Sequence, residues 1–397
     1  MFIIWANLDA EARWTNQTLP KHVLEKISAA AVTLAAFAPV GEPVELWTPA
    51  PVDAARVNLP DVTIRAGVPA MMNLAWAKPH TKAANDRRVA LAVHEWLGTT
   101  LPGQRVITSI EELASVTGPW VAKAPWTAAG RDRAHGEGPP AGELAVHVTR
   151  LLERFGGLLF EPWCERILDL GICGSLDASG AVTLHAPHTL LSDARGNFVG
   201  IRVAPPELND AERAQLDRYV AEAARALHAL EYTGAFGVDA FVHRTSETEL
   251  PVFVVLREDT YETKFGDGYH AYLERAFRTR AEADAAAAEA NALPHDPAQM
   301  PYRFHVREGA LAFVAGAWRF TCELRENESA AAEAVAKLVG AGRALHMCEI
   351  NARHTFGHVA HALADRFGAT ELGFGEPPPG ARVLVENSAW IRTSAIS

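Results

Sequence analysis

Residues 346–361 read His-Met-Cys-Glu-Ile-Asn-Ala-Arg-His-Thr-Phe-Gly-His-Val-Ala-His, and the reading of this stretch decides the fold. It begins as a strand-like run over 345–350, which Glu349 and Asn351 interrupt at i and i+2. Side chains two apart on a strand share a face. A carboxylate and an amide therefore converge on one side of an otherwise apolar segment. Burying an unpaired carboxylate costs several kcal/mol or moves its pKa. Two hard oxygen donors side by side suit Mg²⁺, which takes one or two carboxylates plus substrate phosphates. The alternative is an edge strand with a solvated Glu349, and on this stretch alone the two readings weigh equally.

Working outward, 234–242 reads Gly-Ala-Phe-Gly-Val-Asp-Ala-Phe-Val, a strand with Asp239 alone in its apolar centre. This is the same anomaly as Glu349, and one metal ion would account for both. Further upstream a strand at 120–125 carries Lys123 and runs into Thr127, Ala128, Ala129, Gly130 and Arg131. Small residues and a glycine let backbone N–H groups approach an anion closely, and arginine adds charge-assisted donors. An ordinary turn with solvated arginines is the alternative, which the preceding Lys123 disfavours. Downstream, His354, His358 and His361 lie at i, i+4 and i+7 on one helical face. That set suits Zn²⁺, but it lacks the glutamate of the H-E-x-x-H motif. Three ligands from one helix would also strain a tetrahedral site, so histidines packed beside another site are the favoured reading.

The chain has 397 residues, 49% hydrophobic and 21% charged, which gives two or three domains with ample core. A net charge of −11 without a long block of Lys and Arg makes nucleic acid a poor partner. Four cysteines (Cys164, Cys173, Cys322, Cys348) show no CxxC pairing. The N-terminal apolar run is short and lacks a basic start, so no signal peptide is expected. No window reaches the ~18 uninterrupted apolar residues of a membrane span. The expectation is a cytoplasmic protein with free thiols.

In chain order, strands at 2–6, 44–47 and 62–65 with a helix at 20–36 form a small α/β unit. The turn 7–11 at the end of the first strand is a capped helix start, with a ligand-lining role as the alternative. Helices are expected at 86–96, 110–115, 143–155 and 209–230, and strands at 105–108, 158–160, 167–176, 182–186 and 198–203. Residues 245–343 break the pattern: a strand at 251–256, helices at 269–276, 281–291 and 329–339, and strands 302–306 and 311–315 pairing across 307–309. The pattern resumes with 345–350 and a helix at 354–367, followed by a strand at 383–386.

Taken in this order, the pieces resemble the ATP-grasp superfamily over roughly 80–245 and 344–370. The resemblance is carried by Lys123 in Val-Ala-Lys-Ala-Pro, the loop 127–131, the hinge Phe160-Glu161-Pro162-Trp163, the strand Gly237-Val238-Asp239-Ala240-Phe241-Val242, and Glu349-Ile350-Asn351-Ala352-Arg353. It implies an α/β (α+β) ATP-grasp fold with an N-terminal pre-ATP-grasp domain at 1–80. ATP-grasp parts would follow at 81–244 and 344–397, with an inserted subdomain at 245–343. It further implies ATP with Mg²⁺, or Mn²⁺ in its place, and ligation of a small-molecule carboxylate to an amine. A homodimer is compatible with this reading.

By the same resemblance, Lys123 looks like the phosphate-contacting lysine, and the main chain at Glu161, Pro162 and Trp163 would bind adenine. Asp169 or Glu165 looks like the ribose acceptor. Asp239, Glu349 and Asn351 look like the metal ligands, and Arg353 and Arg202 are cationic candidates for the transferring phosphoryl group. Two features depart from the family pattern: Asp239 and Glu349 are 110 positions apart, and Gly237 stands where some members carry a basic residue. The rival readings are an ATP-grasp phosphotransferase, a silent nucleotide-binding module, and a zinc hydrolase using His354, His358 and His361.

Overall fold

The computed structural model describes residues 1–127, 132–193, 197–245, 249–263, 266–293, 302–314, 317–320, 328–339 and 341–393. The first elements are β1 (Phe2–Trp5), α1 (Ala10–Trp14), α2 (Lys21–Ala31), β2 (Val44–Thr48), β3 (Val62–Ala66) and β4 (Leu74–Ala75). They form a four-stranded sheet in the order β3-β2-β1-β4, with parallel pairing throughout. Strand β2 alternates buried and half-buried residues, the mark of a sheet with one face on the core.

A second sheet comes from α3 (Arg88–Leu97), β5 (Arg105–Ile107), β6 (Pro119–Lys123), β7 (Arg133–Glu137), α4 (Gly142–Phe155) and β8 (Leu158–Pro162). Its order is β5-β8-β6-β7, all antiparallel. Helix α4 lays Val148, Leu151 and Leu152 into a core with Trp120, Ala122, Leu158 and Phe160. That spacing is one helical stripe, and Gly156 ends the helix in the left-handed conformation at φ 70°. The stretch expected as a helix at 110–115 is a single 3₁₀ turn, Glu111–Leu113.

The chain continues through β9 (Arg166–Leu176), β10 (Val182–Leu184), β11 (His188–Ser192), β12 (Phe198–Arg202), α5 (Asp210–Ala229) and β13 (Gly234–Arg244). There follow β14 (Glu249–Thr263), β15 (Gly266–Phe277), α6 (Arg280–Ala292), β16 (Tyr302–Val314), β17 (Ala317–Phe320) and α7 (Glu328–Val339). The last elements are β18 (Arg343–Asn351), α8 (Phe356–Phe367), β19 (Ala369–Phe374), β20 (Arg382–Val385) and β21 (Ala389–Thr393). The largest sheet has nine strands in the order β18-β13-β9-β11-β12-β19-β21-β20, with β10 on β9. Thus β13 and β18, far apart in sequence, are neighbours. Val359, Ala360 and Leu363 of α8 share one core with Ile4 and Leu46 of the N-terminal sheet, Leu34 of the 3₁₀ helix Val32–Phe37, and Leu372, Leu384 and Ile391. The first and last segments of the chain are therefore packed as one body.

Two compact units result: Met1–Pro206 with Arg218–Phe241 and His346–Ser397, and Glu207–Asp217 with Val242–Leu345. The second unit holds an antiparallel sheet, β15-β14-β16-β17. Alternate residues of β14 serve opposite faces. Leu250, Val252, Val254 and Leu256 pack with Ala332, Val335, Ala336 and Val339 of α7, and Val255 packs with Ala283, Ala286 and Ala287 of α6. Two expectations fail here. The segment 269–276 is strand, within β15, because it pairs with β14 from Phe253↔Phe277 to Thr263↔Gly266, and a complete ladder outweighs local helix preference. The region 302–314 is one strand rather than a hairpin, since Gly309 sits in the ladder opposite Val252 and the next antiparallel pairing joins Val314 to Ala317.

Candidate functional site

Asp239 on β13 and Asn351 on β18 meet directly: the Asn351 amide donates to the Asp239 carboxylate at 3.0 Å. Glu349, two residues back on β18, adds a second carboxylate whose charge acts on Asp239. Burial and that like charge push the Asp239 carboxyl up to about 7, against the opposing pull of Arg353 and the Asn351 hydrogen bond. Two carboxylates and an amide oxygen from adjacent strands form a hard donor set. Burial leaves the Asp239 carboxylate short of solvation, Glu349 adds a like charge, and the donors are all hard oxygens, so the residues fit a divalent cation.

The surroundings are cationic. Arg87, buried just ahead of α3, pairs with Glu349 at 3.3 Å. Its other donors go to the Ala124 carbonyl at 2.8 Å and to Thr127 Oγ1 at 2.6 Å. One guanidinium thus ties the end of the Lys123 strand to the acid on β18, using the planar fork that lysine lacks. Arg353 lies over the Trp76 ring and pairs with buried Glu11 at 2.7 Å. The turn 7–11 is thereby drawn into the site. Asn7 pins it further, exchanging two hydrogen bonds with the main chain of Ala77 at 2.9 and 3.1 Å.

Lys123 ends β6 and forms an ion pair with Glu161, which is 3% exposed on β8. Gln104 also donates to Glu161 at 3.3 Å. Pro162 closes β8, and Trp163 beyond it is 48% exposed, with its backbone N–H donating to the Pro119 carbonyl at 2.8 Å. Asp169 on β9 pairs with Arg166 at 2.8 Å. The Arg166 guanidinium stacks 4.1 Å from the Phe241 ring and lies in the field of Glu161. Asp169 also adds its charge to Asp239. Lys123, Glu161, Arg166, Asp169 and Asp239 therefore form a continuous charged track. Glu165 lies exposed in the link between β8 and β9. Thr127 is buried on Arg87, whereas Ala128, Ala129, Gly130 and Arg131 lie outside the described residues.

Arg202 is not brought to this group. It ends β12, which β11 and β9 separate from β13, and it is 54% exposed near Glu371 at 3.9 Å. The three histidines expected on one helical face are not assembled as a ligand set either, because His354 lies ahead of α8 and its N-cap Thr355. Both nitrogens of His358 are occupied: Nδ1 accepts the Thr355 N–H at 3.1 Å and Nε2 meets the Gly174 carbonyl at 2.9 Å. His354 Nδ1 is spent on the Ala75 carbonyl at 3.1 Å. Arg87 and Arg166 were not distinguished in the sequence, since an arginine at a helix start or beside a turn is ordinary.

No family model matches the chain, and no curated protein matches it by sequence. Among solved structures, it is similar to an N5-carboxyaminoimidazole ribonucleotide synthetase in complex with ADP, at 11% identity and TM-score 0.37 over 78% of this chain and 80% of that one. It is likewise similar to an L-amino acid ligase from Bacillus licheniformis, at 13% identity and TM-score 0.37 over 72% and 68%. A third is the biotin carboxylase domain of the Hydrogenobacter thermophilus 2-oxoglutarate carboxylase with MgADP, at 10% identity and TM-score 0.40 over 78% and 73%. Among the described residues, no helix is long and apolar enough to cross a membrane.

Proposed function

We propose that the chain is an ATP-grasp ligase that joins a carboxylate to an amine through an acyl phosphate, releasing ADP and phosphate. The observation that carries this reading is the meeting of Asp239, Glu349 and Asn351 on neighbouring strands, with Arg87 linking Glu349 to the end of the Lys123 strand. In this reading Asp239, Glu349 and Asn351 would hold Mg²⁺, whose charge would offset that on the phosphoryl oxygens. Lys123 releases Glu161 to contact phosphate, and the β8 edge at Glu161–Trp163 takes the adenine. Asp169 is placed on the metal side of the track, paired with Arg166, so the ribose acceptor is either Asp169 or the exposed Glu165. Arg353, clamped by Glu11, faces the developing phosphoryl charge.

A carboxylate is a poor electrophile. Its oxygen attacks the γ-phosphorus and ADP departs. The amine nitrogen then attacks the acyl carbon, phosphate leaves with the bonding pair, and the amine loses a proton. Positioning and charge stabilisation do most of the work in such transfers, and no side-chain nucleophile is required. The segment 245–343, which lies between the two metal strands, is read as an insertion that shapes acceptor choice.

The test is ADP release from pooled carboxylates and amines with Mg²⁺, comparing the parent chain with Asp239→Asn. ADP release dependent on both pools and at least about 100-fold lower in the variant is expected, a loss on the scale of one charge-stabilising contact. Full turnover in Asp239→Asn removes the metal assignment. A stable phosphorylated carboxylate that needs no amine makes the chain a phosphotransferase instead.

A further inference from the structure

Cys173 on β9, His188 on β11 and His361 on α8 come from three elements and place one ligand atom each within 4.8 Å of one another. Cys173 is 1% exposed, His188 2% and His361 8%. Buried imidazole nitrogens normally find a partner, yet His188 Nδ1 and His361 Nε2 have none. Space has been made for the His188 ring. A Cβ on Gly171 would come within 2.6 Å of its Nε2, and one on Gly357 within 2.4 Å of its Cε1. Two glycines from β9 and α8 thus seat a histidine whose other nitrogen goes unused.

We propose that Cys173, His188 and His361 form a buried Zn²⁺ site that ties β9, β11 and α8 together. The donor set decides the ion: one sulfur and two imidazole nitrogens are soft to borderline and suit zinc, not Mg²⁺ or Ca²⁺. Zinc bonds of ~2.3 Å to sulfur and ~2.0–2.1 Å to nitrogen set tetrahedral donors roughly 3.3–3.6 Å apart, which small side-chain rotations reach from the observed spacing. Ligation takes the thiol proton and releases one H⁺ per metal bound. Burial holds the metal-free thiol up to about 12 and His188 down to about 3, so the empty site is electrically neutral. Of His354, His358 and His361 the set uses only His361, and it takes its other donors from the sheet. It uses none of the residues assigned to nucleotide or Mg²⁺.

The full chain, purified without chelators, is expected to carry close to one zinc per molecule. Zinc-edge X-ray absorption on that protein should show one sulfur and two imidazole nitrogens from the chain. Cobalt loaded into metal-free protein should give a thiolate-to-cobalt charge-transfer band that Cys173→Ser loses and His354→Gln keeps. A metal-free chain that takes up no stoichiometric zinc overturns the proposal, as does a shell without sulfur or a cobalt band undiminished in Cys173→Ser. Because the absorption measurement uses the parent protein, it decides the matter even if the variants do not fold.

Discussion

Asp239 carries the sharpest electrostatic consequence of the sequence. Burial and the neighbouring Glu349 charge raise its folded-state pKa to about 7, well above the usual carboxylate range. Between about pH 4 and pH 7 the folded chain keeps a proton that the unfolded chain has lost. The stability from this group is therefore complete below about pH 4 and is lost as pH rises through about 7. The metal-free protein should melt at falling temperature as pH is raised from about 5 to about 8, with a shallower slope in Asp239→Asn. Mg²⁺ should raise the melting temperature more at the upper end of that range. Equal slopes in both proteins would show that Asp239 ionises normally. Asp239, Glu349 and Asn351 were legible in the sequence because each breaks an apolar strand pattern, and such breaks need a partner. Arg87 was not, because its roles depend on Ala124, Thr127 and Glu349, which meet only in three dimensions.

Among the elements, the helix expected at 354–367 is α8 from Phe356 to Phe367, which leaves His354 ahead of its N-cap Thr355, and the histidines serve purposes that spacing cannot reveal. His358 closes a capping box with Thr355 and meets Gly174 on β9 through its second nitrogen, so it staples the helix start to the sheet. Replacing it with alanine leaves the Gly174 carbonyl and the Thr355 N–H without partners. The His358→Ala protein should lose about 1–3 kcal/mol in urea unfolding, and a change below about 0.5 kcal/mol would deny the staple. Burial also depresses His358 to about 3. Its contribution is present above the ordinary histidine pKa and is lost as pH falls from about 6.5 toward 3, opposite in sense to Asp239. The strands β15 and β16 were misread for a related reason. Whether a short apolar run is strand or helix, or where a glycine turns, is settled by the ladder to β14 rather than by local pattern.

At the scale of the molecule, the order of the parts was legible but the packing together of both chain ends was not, because a core shared by Ile4, Val359 and Leu384 leaves no local signature. The excursion between β13 and β18 is cinched at its base, where the Thr245 N–H donates to the Gly342 carbonyl at 3.0 Å. This has a consequence for the timing of assembly. Bringing β13 and β18 together across an unfolded segment of this length carries about 3 kcal/mol more closure entropy than a tight hairpin. The β14–β15 and β16–β17 ladders close over far shorter distances and form sooner. Amides of β14 should accordingly gain protection before those of β18 in pulse-labelled hydrogen exchange during refolding, and the reverse order would exclude this route. Asp239 and Glu349 then become neighbours only once the excursion has drawn its own ends together, so the newborn chain lacks its cluster of buried acids until its most distant strands have found each other.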